Sequence, residues 1–258
     1  MNQPLPVVLI GGQSNAVGCT DIATLKESDS HGNYSKVLLY QEGNFTAEAK
    51  HRILHGVHLG MGCKPHQMGI EYGIAHQLNE RISPIALIRF AYGGTDLAFH
   101  WKTLWERLPV SVEDPGYCYH EFIGTVKRGL AAFCEAGYTP CVKGMIWMQG
   151  ESDTNKTLAQ AEAYADHLSL LFGAIRKNLA LAELKLLIGG ISTKAPLAPY
   201  SDLIREKQAL YCQNDPLARY VDNTDLSMGS DGWHYEANEC FRLGKRLGEE
   251  AAAFFKLR

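Results

Sequence analysis

A serine, an aspartate and a histidine that lie far apart along the chain form the most reactive combination in this sequence. Ser14 stands in Gly12-Gln13-Ser14-Asn15, and Asp231 and His234 share the segment Asp231-Gly232-Trp233-His234. A serine hydroxyl is a poor nucleophile unless a base takes its proton, and histidine is the usual base near neutral pH. The Asp-x-x-His spacing allows the carboxylate to turn back onto the imidazole and fix its tautomer. These residues predict a Ser14–His234–Asp231 triad for acyl transfer.

Two further segments offer hydrogen-bond donors for the oxyanion that forms during acyl transfer. We expect the backbone N–H groups of Ser14 and Gly94 to be two of the donors, because a glycine lets the substrate approach the backbone closely. The side chain of Gln149, in Gln149-Gly150-Glu151-Ser152-Asp153, is the expected third donor. Each donor of this kind contributes about 2.7–4 kcal/mol to the transition state.

Each of these segments follows, or closely follows, a stretch with the pattern of a strand, and strands alternate with helices along the chain. In a parallel sheet of this kind, ligands bind at the carboxyl ends of the strands. We therefore predict an α/β fold, a three-layer α/β/α sandwich around a central parallel sheet, in one domain over residues 1–258. The predicted strands are Leu5–Ile10, Lys36–Tyr40, Ile85–Phe90, Gly144–Met148, Leu184–Ile188 and Arg219–Val221. The predicted helices are Met68–Arg81, His120–Ala136, Leu158–Leu179, Leu203–Cys212 and Glu236–Phe255. The segment 41–67 is expected to be irregular.

Composition excludes several classes of function. The chain has 258 residues with 25 Lys and Arg against 28 Asp and Glu, a formal charge of −3, so it has no basic stripe for nucleic acid. Its apolar runs are strand-sized, far below the roughly 20 residues that a membrane span needs. The seven cysteines contain no Cys-x-x-Cys pair, which argues against a zinc site or a disulfide framework. We expect no cofactor, no metal, no nucleic-acid or membrane partner, and a cytoplasmic location, since the N-terminus shows no signal peptide.

Four sequence blocks together resemble the SGNH (GDSL-type) hydrolase superfamily. They are Gly12-Gln13-Ser14-Asn15-Ala16-x-Gly18, Gly93-Gly94-Thr95, Trp147-x-Gln149-Gly150-Glu151-Ser152-Asp153 and Asp231-x-x-His234, in the order of that superfamily. The resemblance is closest to the branch of sialate O-acetylesterases and acetylxylan esterases (carbohydrate esterase family six). It implies a flavodoxin-like layered fold and a serine esterase that removes O-acetyl groups from a sugar through an acyl-enzyme.

By this resemblance Ser14 is the nucleophile, His234 the general base and Asp231 the residue that orients it. In the wider superfamily the third block reads Gly-x-Asn-Asp, and Ser152 stands where that asparagine would be. Gln149 and Ser152 are therefore alternative third donors, with Gln149 favoured by the Gln-Gly-Glu pattern of this branch. We further expect a group of strand-end residues to bind substrate, namely Gln13, Asn15, Thr95, Glu151 and Trp101.

Each of these residues also has a plainer interpretation. Ser14 could cap a helix, and Asp231 and His234 could belong to a surface turn. Glu151 and Asp153 could be an acid/base pair, although a role in holding the loops by hydrogen bonds to the backbone or to Arg89 is favoured. The aromatic segment 99–105, with Trp101 and Trp105, could pack in the core or stack on a sugar.

A metal site on a helix carrying His51, His55 and His58 is disfavoured because Gly56 and Gly60 weaken that helix. A phosphate loop at Gly11-Gly12 is disfavoured because the required glycine and lysine pattern is missing.

Two other functions compatible with the sequence remain open. A carbohydrate-binding protein without turnover could use the same scaffold, although a binder has no need for the three triad residues. A lipid or thioester hydrolase of the same superfamily would use the same triad with a longer acyl chain. Which sugar, which acetyl position and which oligomeric state apply does not follow from the sequence.

Overall fold

The computed structural model describes residues 3–44, 53–82, 84–193 and 197–257. The strands are β1 (Gln3–Gly12), β2 (Thr20–Asp21), β3 (Tyr34–Gly43), β4 (Ile53–Val57), β5 (Gln67–Met68), β6 (Ile85–Ala91), β7 (Tyr138–Met148), β8 (Leu186–Gly189) and β9 (Ala218–Val221). The α-helices are α1 (Ser14–Val17), α2 (Ile70–Leu78), α3 (Tyr117–Glu135), α4 (Leu158–Glu162), α5 (Tyr164–Asn178), α6 (Ser201–Asn214) and α7 (Ala237–Phe254). Short 3₁₀ helices lie at Ile22–Thr24, Glu27–Asp29 and Glu151–Asp153.

Seven strands form the central sheet in the order β4-β3-β6-β1-β7-β8-β9. All neighbouring pairs from β3 to β9 are parallel, and only the edge strand β4 pairs antiparallel, with β3. The predicted α/β class with a central parallel sheet is therefore confirmed. The strand order differs in detail from the flavodoxin order 2-1-3-4-5, because β6 lies between β3 and β1.

Helices cover both faces of this sheet. Successive residues of a strand point to opposite faces of the sheet. Two residues of β6 therefore show which helix covers each face. Ile88 points to α3, where a Cβ added to Gly129 would come within 3.0 Å of the Ile88 side chain. The next residue, Arg89, points the other way and pairs with Glu71 of α2. Helix α2 packs against α7 on that face, and α3 contacts α5 on the opposite one.

The apolar pattern located most elements, and the structure corrects two of the predictions. The helix predicted over Leu158–Leu179 is two helices, because Ala163 has φ −80° and ψ 0° and interrupts it. This break buries Tyr164, whose hydroxyl donates to the side-chain oxygen of Gln149 at 2.9 Å. Within segment 41–67, predicted to be irregular, the structure has the end of β3 as well as β4 and β5.

The three central strands bring three of the sequence blocks to one edge. Gly12, the last residue of β1, is in register with Ala91 of β6 and with Met148 of β7. The residues that follow these three positions are therefore neighbours at the carboxyl edge of the sheet. The fourth block, which contains Asp231 and His234, lies between β9 and α7.

Candidate active site

Ser14 is held by a tight turn between β1 and α1. Gln13 N–H donates to Met148 O at 3.0 Å, and Gly12 has φ +151°, where an added Cβ would lie 1.9 Å from the same carbonyl oxygen. Only glycine fits such a close approach of two backbones. Ser14 is the first residue of α1 and is 7% exposed. The turn thus places the serine at the sheet edge with limited access from solvent.

A buried arginine of β6 holds the last two residues of α1. Arg89 is fully buried, and its Nη1 donates to Ala16 O at 3.1 Å and Val17 O at 3.3 Å. The same guanidinium pairs with Glu71 and bonds to Gln41. Its charge is therefore matched by a carboxylate and several oxygens, as a buried guanidinium requires. The sequence predicts Arg89 as a partner of Glu151 or Asp153, whereas the structure pairs it with Glu71 of α2. Its signal is a lone arginine in the otherwise apolar strand Ile85–Ala91.

Two backbone donors at this edge have no partner among the residues that the structure describes. Neither Ser14 N–H nor Gly94 N–H donates to any described acceptor. Gly94 has φ +74°, and a Cβ added there would meet nothing within 4 Å, so the space in front of it is open. Unpaired N–H groups are available to stabilise an anionic oxygen. The role of these two groups as oxyanion donors stays a prediction.

His234 and Asp231 form a short-range pair in the loop before α7. His234 Nδ1 lies 2.6 Å from Asp231 Oδ2, and Asp231 Oδ1 accepts the backbone N–H groups of Trp233 at 2.8 Å and His234 at 2.9 Å. Partial burial raises the pKa of Asp231, but the hydrogen bonds from His234 and Trp233 outweigh it and lower the pKa below its usual range. The carboxylate therefore stays ionised and holds one ring nitrogen, which leaves Nε2 as the other reactive atom.

The serine loop and the histidine loop are joined through Asn15. Its Nδ2 donates to Trp233 O at 3.1 Å and to Glu151 Oε1 at 2.6 Å, which ties three of the four blocks together. Trp233 is next to His234 in sequence, and Glu151 lies in the block Trp147–Asp153, so this one amide connects the serine loop to both. Within the described parts of the chain, no hydrogen bond joins Ser14 Oγ to the His234 ring.

Gln149 does not offer its amide to the substrate side in this structure. Its side chain is fully buried, and Nε2 donates to Thr95 O at 3.0 Å and to Asp153 Oδ2 at 2.5 Å. Because an amide has two hydrogens, both are used. The prediction of Gln149 as third oxyanion donor is therefore corrected. Its amide instead ties the loop after β6 to the loop after β7. For the alternative, Ser152, the structure shows its N–H donating to Gln13 Oε1 at 3.1 Å.

Trp101 and Thr95 also belong to the core rather than to the substrate surface. Trp101 is 1% exposed and packs edge-on against Trp147 with ring centroids 4.7 Å apart. Its Nε1 donates to Thr95 Oγ1 at 3.2 Å, and that hydroxyl donates to Tyr92 O at 2.8 Å. A ring buried on this scale cannot stack on a sugar. Substrate binding by these two side chains is therefore corrected to core packing and loop support.

The other three expected substrate-binding residues are buried as well. Gln13, Asn15 and Glu151 are each at most 3% exposed. Gln13 Oε1 accepts from Gly150 N–H at 3.4 Å, and Glu151 accepts from Asn15 as described above. These polar side chains connect the loops to one another instead of facing a ligand.

The structure also corrects the histidine helix considered for a metal. His55 lies in β4, an extended strand in which residues three or four apart do not share a helical face, and His51 lies outside the described residues. Among the described residues, no cluster of three His, Cys, Asp or Glu side chains is arranged to hold a metal ion. In the same part of the chain, no helix has the length and apolar character to cross a membrane.

Asp153 allows a test of the buried network beneath the site. Burial raises the pKa of Asp153 to about 7, against an ordinary value of about 4 in an unfolded chain. The native protein then binds this proton more tightly than the unfolded chain does, so the group lowers the free energy of unfolding as pH rises between those values. We expect urea unfolding to show wild type losing stability relative to Asp153→Asn from about pH 4 to about pH 7, and no further loss above. A difference that does not vary with pH would contradict this reading.

Comparison with known proteins gives the family. The sequence matches the family described as carbohydrate esterase, sialic acid-specific acetylesterase, over residues 4–253. A search of curated proteins finds no match.

Solved structures share the fold at low sequence identity. A protein from Arabidopsis thaliana has 20% identity and a TM-score of 0.74, with 97% of this chain and 98% of that chain covered. NanS has 15% identity and a TM-score of 0.68 over 100% of both chains. XAC1771, a carbohydrate acetylesterase from Xanthomonas citri, has 20% identity and a TM-score of 0.63, with 95% of this chain and 55% of that chain covered. The resemblance seen in the four blocks is confirmed by the family match. The chain belongs to the carbohydrate esterase family of sialic acid-specific acetylesterases, a family of carboxylic ester hydrolases.

Proposed function

We propose that this protein removes O-acetyl groups from a carbohydrate, with Ser14 as nucleophile, His234 as general base and Asp231 as the residue that orients His234. One observation carries the proposal. The His234–Asp231 pair, with Nδ1 and Oδ2 2.6 Å apart, is tied to the Ser14 loop by the hydrogen bond from Asn15 to Trp233 O. The family match and the names of the similar acetylesterases support the acetylated sugar as substrate.

In the first half-reaction Ser14 Oγ attacks the acetyl carbonyl carbon while His234 Nε2 takes the hydroxyl proton. Asp231 accepts from Nδ1–H and stabilises the imidazolium that forms. The carbonyl oxygen becomes an oxyanion, which Ser14 N–H and Gly94 N–H stabilise. The tetrahedral intermediate then collapses. The bond to the sugar oxygen breaks, His234 gives its proton to that oxygen, and the acetyl group stays on Ser14.

In the second half-reaction water replaces the sugar. His234 Nε2 takes a proton from the water as it attacks the acetyl carbon, and the same two N–H groups stabilise the second oxyanion. Collapse returns the proton from His234 to Ser14 Oγ and releases acetic acid, which gives its proton to solvent and becomes acetate. The cycle uses only this chain's side chains, backbone donors and water.

Space for a leaving sugar lies beside the imidazole. An open cavity of about 370 Å³ is lined by the triad residues Asp231 and His234 together with Thr20, Ser230 and Glu236. The hydroxyls of Thr20 and Ser230 can donate hydrogen bonds to sugar hydroxyls and accept them, and the carboxylates can accept them, so the cavity offers partners to a leaving sugar.

Acetate release from a panel of substrates tests the proposed function. The panel contains acetylated sialic acid, acetylated xylan, other acetylated sugars, and aryl esters of two-carbon and longer acyl chains. We expect acetate release from at least one acetylated sugar and a preference for acetyl over longer acyl chains. Binding of an acetylated sugar without acetate release would replace the proposal with a binding protein. Preference for long acyl chains would replace it with a lipid or thioester hydrolase.

Asp231→Asn tests the role of the carboxylate separately from the nucleophile. The asparagine keeps the size of the side chain but loses the negative charge that stabilises the imidazolium. We expect kcat for an acetyl ester to fall by about 10²- to 10⁴-fold with a smaller change in KM. Steady-state kinetics measure both constants, and Asp225→Asn, which removes an exposed carboxylate near Arg246, is the control. Activity of Asp231→Asn equal to that of the control would exclude this role.

A further inference from the structure

Asn44 lies at the same sheet edge and is part of none of the four sequence blocks. It follows the end of β3, and its Oδ1 accepts the N–H of Gly93 at 3.1 Å. Its own N–H points to Ala91 O of β6 at 3.4 Å. The side-chain amide is therefore oriented by a hydrogen bond to the peptide segment that carries Gly94.

The other end of this amide is an unused donor next to Ser14. Within the described residues, Asn44 Nδ2 donates to no acceptor. A Cβ added to Gly93 would lie 3.5 Å from Asn44 Nδ2 and 3.6 Å from Ser14 Cβ. Nδ2 and the serine side chain thus border the same empty space above Gly93. Asn44 is half-buried and Gly94 is exposed, so this part of the sheet edge is open to solvent.

We propose that Asn44 Nδ2 is the third donor of the oxyanion hole, an inference that rests on the proposed function. An oxyanion donor has to lie about 2.7–3.1 Å from the anionic oxygen, so donors to one oxygen are at most about 6 Å apart. Nδ2 borders the space above Gly93, and Gly94 N is bonded to the carbonyl carbon of that same residue. Ser14 Cα lies 3.9 Å from the Cβ position of Gly93, which brings Ser14 N to the same space.

Asn44 can supply the third oxyanion donor that Gln149 does not supply. Both amide hydrogens of Gln149 are bonded inside the protein, whereas both hydrogens of Asn44 are unpaired within the described residues. Asn44 is thus predicted to act twice. Its oxygen orients the Gly93–Gly94 segment, and its nitrogen contacts the reacting oxygen of the ester.

Two substitutions at Asn44 separate these two actions. Asn44→Ala removes both the acceptor for Gly93 N–H and the donor. Asn44→Asp keeps an oxygen for Gly93 N–H but replaces the donor with a negatively charged oxygen beside the forming oxyanion. We expect kcat for an aryl acetate to fall by about 10²- to 10³-fold in Asn44→Ala, and at least as much in Asn44→Asp, with little change in KM.

Asn79→Asp is the matched control, because Asn79 Oδ1 likewise accepts a backbone N–H, that of Lys36 at 3.2 Å, away from the site. We expect this control to keep wild-type kinetics. An Asn44→Asp variant with near-wild-type kcat would show that only the acceptor matters and would overturn the proposal. A rise in KM for a sugar acetate with no change for the aryl acetate would overturn it too, because Asn44 would then bind the sugar.

The same experiment keeps the two proposals apart. If wild type hydrolyses no ester, the proposed function fails, and the inference fails with it. If wild type is active and the Asn44 variants are unimpaired, only the inference fails. Urea unfolding of each variant checks the fold. If Asn44→Asp does not fold, wild-type kcat in Asn44→Ala overturns the proposal, and a fall of about 10²-fold or more with unchanged KM supports the combined action of its oxygen and nitrogen.

Discussion

Ser14→Ala is expected to lower kcat for an acetyl ester by about 10⁴-fold or more while leaving the fold intact. The loss is large because no other group can carry the acyl chain, and the remaining donors and binding contacts supply only a residual rate. The fold is expected to survive because Ser14 Oγ has no hydrogen bond to any described residue, so its removal leaves no buried partner unpaired. Steady-state kinetics with urea unfolding of the same samples measure both effects.

Ser169→Ala is the control for this substitution, since Ser169 is an exposed serine on α5 that belongs to none of the four blocks. Its kcat should stay close to that of wild type. The double variant Ser14→Ala/His234→Ala adds a second check. Residues that act as one unit are strongly non-additive, so the double variant should be no slower than Ser14→Ala alone. Full activity of Ser14→Ala would remove the nucleophile from the mechanism.

Arg89→Met is expected to reduce the free energy of unfolding by about 3–5 kcal/mol, the cost of leaving one partner of a buried ion pair uncompensated. The abandoned partner is Glu71, and both side chains are inaccessible to solvent. The carbonyl oxygens of Ala16 and Val17 lose their donor as well, so α1 and its serine lose support. Urea unfolding and kcat of the same variant measure the two consequences.

A double-mutant cycle identifies the ion pair as the cause. Arg89→Met/Glu71→Gln leaves no uncompensated charge, so we expect its destabilisation to be smaller than the sum of the two single substitutions. Arg219→Met is the control, because Arg219 and Glu250 form an exposed ion pair whose loss costs about 0–1 kcal/mol. Equal stability losses for Arg89→Met and Arg219→Met would show that the buried pair has no special role.

The parts of this fold that were predictable from the sequence are those set by local pattern. The apolar runs that form β1, β6 and β7 end at or within two residues of a glycine. A parallel sheet brings such ends to one edge, so the placement of Ser14 and Gly94 follows from alternation alone. The Asp231–His234 pair could be predicted for the same reason, because three-residue spacing in a turn is a local property.

The parts that the sequence did not predict depend on contacts that only the folded chain brings about. Whether Gln149 faces a ligand or the interior depends on Asp153 and on the carbonyl of Thr95, 54 residues away. Trp101 lies in the core because the loop after β6 packs its ring against that of Trp147. Composition shows that such residues can bind a sugar, but only packing decides whether they are exposed.

Stoichiometric labelling by an organophosphate ester tests the central claim most directly, because this reagent forms a stable adduct with an activated serine. The enzyme is inactivated with diethyl 4-nitrophenyl phosphate, digested, and mapped by mass spectrometry. We predict one diethylphosphoryl group per chain on the peptide that contains Ser14, appearing in step with the loss of esterase activity, and no such label in Ser14→Ala or His234→Ala. Complete inactivation with the label on another residue, or with none on Ser14, would contradict the account.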